Sequence, residues 1–218
     1  ELGTERLLPS RIVCDPRLAA TAPPDLTAAT GIDALAHCVE SYLTPAFQPF
    51  CDGSAIEGMR YIFRGLETAV QDGRNLEARS AMAVGALLGG VAARKGVGVA
   101  HALAYALEVD APGRHATLVS ILLAPALRFN REAAEPRMAE LASRVGLGRA
   151  GDGPGHLITL VELLRANAPL PRRLGDVPGL NKDRIPHYAN QALDEPGAED
   201  NPRPCTGPLL EDLLSRAW

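Results

Sequence analysis

Gly31-Ile-Asp-Ala-Leu-Ala-His-Cys-Val-Glu-Ser-Tyr42 is the stretch on which the reading of this chain turns. Asp33 and His37 are four residues apart, so on a helix both side chains leave one face, a turn apart. A helix of that kind offers a carboxylate oxygen and an imidazole nitrogen to a single cation. Taken alone, an Asp-x3-His pair reads more simply as the solvated face of an amphipathic helix. The placement of the other histidines shifts that balance.

The chain holds five histidines: His37, His101, His115, His156 and His187. His101 follows Gly96-Val-Gly98-Val-Ala, and His115 follows Ala-Pro112-Gly113-Arg114. Both therefore stand just behind glycine-bearing breaks, at the starts of apolar helical runs, where side chains can converge on one pocket. Asp33, His37, His101 and His115 would make a set of three imidazoles and one carboxylate. Such donors suit Fe2+ or Zn2+ rather than Mg2+ or Ca2+. His156 and His187 fall outside these runs and read as surface or structural. Cys38, beside His37, points about 100° away on the helix and also reads as structural.

Composition narrows the class. At 218 residues, with 46% hydrophobic and 22% charged, the chain can form one globular domain with a substantial core. Aromatic residues are only 4%, so the core is built mainly from Ala, Leu and Val, which favours packed helices over a sheet. The net charge of -4 leaves no basic footprint for nucleic acid. No apolar run reaches the roughly 20 residues that span a bilayer. The start, Glu1 to Arg6, lacks the basic and apolar regions of a signal peptide. Cys14, Cys38, Cys51 and Cys205 show no CxxC pairing and read as reduced thiols of a cytosolic protein.

Read in order, Arg11 to Cys14 is expected to form one short strand ending at Asp15-Pro16, and a lone strand needs partners. Helices are predicted over 26–43, 54–71 and 76–94, the last apolar nearly all round and therefore expected to be central. Gly96 and Gly98 open the segment bearing His101 and Tyr105. A helix over 118–129 carries the chain away from His115, and separate helices are expected over 132–145 and 156–168. Residues 169–181 read as irregular, 182–194 and 207–217 as helices, and 194–207 as an exposed polar linker. The fold class is all-α. Gly146-Leu-Gly148-Arg-Ala-Gly151 matches G-x-G-x-x-G, but it follows a helical run rather than a strand and reads as a helix C-cap and loop. No P-loop and no G-x-S-x-G elbow is present.

Longer runs carry a family resemblance. Asp15-Pro16-Arg-Leu18, Pro23-Pro24 and Thr27-Ala-Ala-Thr30-Gly31-Ile-Asp33-Ala-Leu-Ala-His37 are similar to the signature of iron-containing (group III) alcohol dehydrogenases. So are Gly96-Val-Gly98-Val-Ala-His101-Ala-Leu-Ala-Tyr105 with His115, Leu123-Ala-Pro125-Ala-Leu-Arg-Phe129-Asn130, and the ending from Asn201-Pro-Arg203-Pro to Trp218. The likeness spans nearly the whole chain and is greatest to the lactaldehyde:propanediol oxidoreductase branch. It implies a dehydroquinate-synthase-like C-terminal helical domain whose metal is held by Asp33, His37, His101 and His115. It also implies transfer of hydride between a small-molecule alcohol or aldehyde and NAD(P).

Two positions depart from the family pattern. Tyr105 stands where the family usually has a histidine serving the cofactor side or proton relay; it can donate a hydrogen bond but is a weaker base at neutral pH. Ala116 replaces a common glycine. The resemblance further implies that residues 1–24 are the last strand and linker of an N-terminal α/β nucleotide-binding domain, and 25–218 the helical metal-binding domain. Without that half, association with itself or with a cofactor-binding domain is expected. The competing expectations are a catalytically silent metal-binding helical module and a lyase or hydrolase of the dehydroquinate synthase kind.

Overall fold

The computed structural model describes residues 9–147 and 152–218. Helix α1 (Pro24–Leu43) is the axis of the domain. Pro24 occupies its first turn, where a missing N–H costs nothing, and Thr44 ends it in extended conformation just before Pro45. Ile32, Leu35, Ala36, Val39 and Tyr42 are all buried, and α1 packs on α2 (Pro49–Gln71), α3 (Leu76–Ala92) and α5 (His115–Arg144). Helix α4 (Val99–Glu108) lies on α5 and against α7 (Ile185–Leu193) and α8 (Pro196–Glu199). Helix α5 also carries α6 (Gly153–Ala166) and α9 (Gly207–Ala217).

Several expectations change. Arg11 to Cys14 form no strand, and Ile12 and Val13 stand exposed. A strand's backbone groups need a second strand to pair with, and no strand occurs among the described residues. Helix α3 is not central: Ala86 and Gly90 are exposed, and only Ala78, Arg79, Gly85, Gly89 and Ala92 are buried. With its extension to Lys95, this helix meets the length and mean hydropathy of a membrane span, but Glu77, Arg79, Arg94 and Lys95 interrupt it, so no unbroken apolar run of about 20 residues occurs there, as the sequence count has it. Its burial is decided by one stripe of small residues rather than by overall apolarity.

That stripe brings backbones together. A Cβ at Gly89 would lie 2.9 Å from the Ala34 carbonyl and 3.3 Å from Cys38 Sγ, directly behind His37. Gly89→Val is therefore expected to push α3 off α1 and cost about 2–3 kcal/mol, measured as a lower urea midpoint with unchanged slope. An unchanged midpoint would show that the two helices have room to spare. Arg79 ties the same layer down, donating to Thr27 Oγ1, the Ala22 carbonyl and the Gly73 carbonyl at 2.8, 3.0 and 2.9 Å.

The two helices expected over 118–129 and 132–145 are one continuous helix, α5, with Pro125 and Pro136 inside it. Each proline removes one hydrogen bond. Burial of Leu118, Leu122, Met138 and Leu141 on both sides of the prolines holds the helix together. It ends in a Schellman arrangement: Gly146 has φ +91, its N–H donates to Ser143, and Leu147 N–H donates to Ala142. Gly146 is thus the helix C-cap glycine expected; the rest of that motif, 148–151, lies outside the described residues. Residues 169–181 are irregular apart from one 3-10 turn at Leu174–Asp176. The linker 194–207 is neither structureless nor wholly exposed, for it contains α8, and Ala198 and Asn201 are buried.

Candidate metal centre

Three helices meet where the histidines are. Asp33 and His37 come from the middle of α1, His101 from the first turn of α4, and His115 from the first residue of α5. Asp33, His101 and His115 each offer a donor atom within 4.8 Å of the others, a spacing that could hold one metal ion. His37 stands beside them: its ring centroid is 4.3 Å from that of His101. Its Nδ1 lies 2.9 Å from the Asp33 carbonyl of its own helix, which fixes the ring and leaves Nε2 to face outward from that bond. His37 is not within the compact three-residue set, and in this geometry it flanks the other three.

The most informative atoms are two without partners. Asp33 Oδ1 and His101 Nε2 are both buried and make no hydrogen bond. They lie 3.5 Å apart, too far for a well-formed bond between them. Buried polar atoms are nearly always satisfied, so a pair of orphans aimed at one point marks a place for a positive charge. An acidic oxygen and imidazole nitrogens are the donors that Fe2+ and Zn2+ accept, so the residues present fit such an ion.

Glu40 prepares the centre and was not singled out from sequence. Its carboxylate is buried and accepts from the backbone N–H groups of Gly98, Ala100 and His101 at 3.1, 2.8 and 3.3 Å. It also lies 2.6 Å from His101 Nδ1. One side chain therefore caps the start of α4 and holds the His101 ring with Nε2 turned toward Asp33. The signal was present, since Glu40 is seven residues after Asp33 and so on the same helix face. A single glutamate on a helix gives no reason to suspect burial.

Asn201 completes the cap. Its Oδ1 accepts from Val99 N–H at 3.2 Å, and its amide is paired reciprocally with that of Asn130 at 2.9 and 2.7 Å. Glu108, also unsuspected, lies 3.2 Å from His115 Nδ1. Each of the two incoming histidines thus has a carboxylate on its Nδ1.

These surroundings set the protonation. Burial works against charge on His101, but Asp33 and Glu40 on either side outweigh it and lift its pKa to about 9. Burial would raise Asp33, yet the imidazoles around it hold its carboxyl below the ordinary value. His37 is pushed down by burial and by His101. Tyr105 is half-exposed, with its ring centroid 4.6 Å from that of His115 and 6.5 Å from that of His101. It therefore shares the His101 face of α4, as its spacing predicts. Cys38 is buried and its thiol is pushed up to about 12 by burial, a structural residue as expected.

Residues 27–218 match the family model for the C-terminal part of the Fe-containing alcohol dehydrogenase family. A 1,3-propanediol dehydrogenase of Citrobacter freundii is 37% identical over 220 residues, covering 98% of this chain and 56% of that protein. A 4-hydroxybutyrate dehydrogenase of Cupriavidus necator is 42% identical over 134 residues, covering 58% of this chain and 35% of that protein. A crystal structure of a 1,3-propanediol oxidoreductase superposes with a TM-score of 0.89 at 32% identity, over 94% of this chain and 55% of that one. The chain spans about half the length of most of the relatives it matches.

Proposed function

The chain belongs to the iron-containing alcohol dehydrogenase family, and from that premise we propose that it is the metal-holding part of an enzyme moving hydride between an alcohol or aldehyde and NAD(P). The observation that carries the reading is the pair of orphaned buried atoms, Asp33 Oδ1 and His101 Nε2, at the meeting point of three helices. Asp33, His101 and His115 hold the ion, Fe2+ or in its place Zn2+, with His37 as the fourth donor beside them. When bound, the ion supplies Lewis acidity at the substrate oxygen, and NAD(P) supplies the hydride chemistry.

The residues of the chain do the positioning. Glu40 and Glu108 orient the imidazoles of His101 and His115 through Nδ1. Buried His101 and half-buried Asp33 keep water from the inner side of the centre. Tyr105, on the exposed side next to His115, is placed to donate a hydrogen bond to a substrate oxygen. The nucleotide-binding part is proposed to lie in a separate N-terminal α/β domain, a reading supported by the chain spanning about half the length of its relatives, and a cytosolic location is proposed for the complete enzyme.

Elemental mass spectrometry on anaerobically purified protein tests the reading. About one equivalent of iron or zinc per chain is expected from a single site with this donor set. No metal after reconstitution would favour the silent helical module, for which the replacement of the family's histidine by Tyr105 is the one supporting feature.

A further inference from the structure

A second site lies away from the metal centre. A cleft of about 620 Å³ opens between α5, α6, the turn after α6 and the end of α9. Five arginines line it: Arg128 from α5, Arg165 from α6, Arg172 and Arg173 from the turn, and Arg216 from α9. Glu162 is the one acid in its wall. In a chain of net charge -4, this concentration of guanidinium groups is out of proportion.

Three of the five are neutralised locally. Arg128 pairs with Glu162, Arg173 with Asp176 at 3.2 Å, and Arg216 with Asp212 at 2.9 Å. The other two are not. Arg165 donates through Nη2 to the Pro171 carbonyl, while its buried Nε has no partner. Arg172 is exposed, and no carboxylate among the described residues pairs with it. Burial, and next the like charge of Arg172, pull Arg165 below the ordinary arginine value against the weaker pull of Asp176. A guanidinium keeps its proton in a protein, so the two arginines present a standing positive charge that favours an incoming anion. An unsatisfied buried N–H adds to the demand.

We propose that this cleft binds a phosphate-bearing small molecule, held by Arg165 and Arg172. A phosphate group carries the charge of about -2 that two unpaired guanidiniums require. It also presents three oxygens in different directions, whereas a carboxylate engages a single fork. The cleft has room for more than one phosphate. None of Asp33, His37, His101 and His115 lines the cleft, whose nearest wall residue on α5, Ile121, is six residues from His115, about 9 Å along the helix. The anion therefore binds apart from the metal centre and takes no part in holding the ion.

The test is calorimetric titration of the full chain, as purified and after metal stripping, with inorganic phosphate, inorganic pyrophosphate and malonate. Pyrophosphate is expected to bind with a dissociation constant of about 0.1–1 mM, in either metal state. Arg172→Gln, an exposed change that leaves packing intact, should weaken binding by about tenfold or more. Arg165→Gln should do the same with an unchanged circular dichroism spectrum. Arg64→Gln, on α2, should bind as the parent does. Phosphate binding as well as pyrophosphate would assign a one-phosphate ligand; weaker phosphate binding would assign a diphosphate. The proposal is overturned if pyrophosphate gives no heat at about 10 mM, if Arg172→Gln binds as tightly as the parent, if malonate matches pyrophosphate, or if binding vanishes with the metal.

Discussion

Replacing Glu40 with alanine is expected to cost about 3–5 kcal/mol of unfolding free energy, the range for removing one partner of a buried charged pair. The carboxylate leaves behind three backbone N–H groups and the His101 Nδ1, all in the interior. None can turn to water without unwinding the first turn of α4. For a domain of this size the loss corresponds to a fall in melting temperature of roughly 10 °C. Glu40→Gln keeps the shape but turns one acceptor into a donor, so it should lose about half as much. The same variant should still take up metal, about 10–100-fold more weakly, because His101 is no longer firmly oriented. Thermal melts and metal titrations of the two variants separate these effects. A melting temperature for Glu40→Ala within a degree or two of the parent would show that α4 is held by its apolar side alone.

The second large effect concerns the ion. His101→Ala should remove bound metal, because it deletes the most buried donor of the set. Retention of full metal content would rule against the centre. The stability of this variant should fall less than that of Glu40→Ala, since Glu40 keeps its three backbone partners. The parent centre should also discriminate against protons. With His101 held to about 9, a cation must displace a proton, so metal affinity should rise from neutrality up to about pH 9 and then level off. The sign follows from the chemistry: the ion needs the neutral imidazole, and that form gains as pH rises.

The path from sequence to this centre was uneven for identifiable reasons. That Asp33 and His37 share one face of α1 was legible because a four-residue spacing on a helix has one geometric consequence. His101 and His115 were legible because glycine breaks announce helix starts. Glu40, Glu108 and Asn201 were not, since their roles depend on partners far along the chain, and periodicity carries no long-range information. The continuous α5 was misread because each proline is a local stop signal that burial on both sides overrode. The stretch Arg11–Cys14 has the composition of a strand, but strand formation depends on a neighbour that the described residues do not provide. For α3, apolarity counted along the sequence could not distinguish the glycine-bearing face that packs from the face that does not.

The cap on α4 also predicts an order of assembly. The amides of residues 98–101 are held by Glu40, some 60 residues upstream, and by Asn201, 102 residues downstream of Val99. By contrast α1, α2 and α3 follow one another in the chain and pack directly. Closing long loops costs entropy before any contact repays it, so the α1–α3 layer can form while the start of α4 is still open. Asp33 and His37 would then be in place early, and His101 would join them only once the segment around Asn201 had returned to α4 and α5. In pulsed hydrogen exchange during refolding, the amides of α1 should become protected before those of residues 98–101. On this order the proposed metal centre is completed only when the start of α4 is capped.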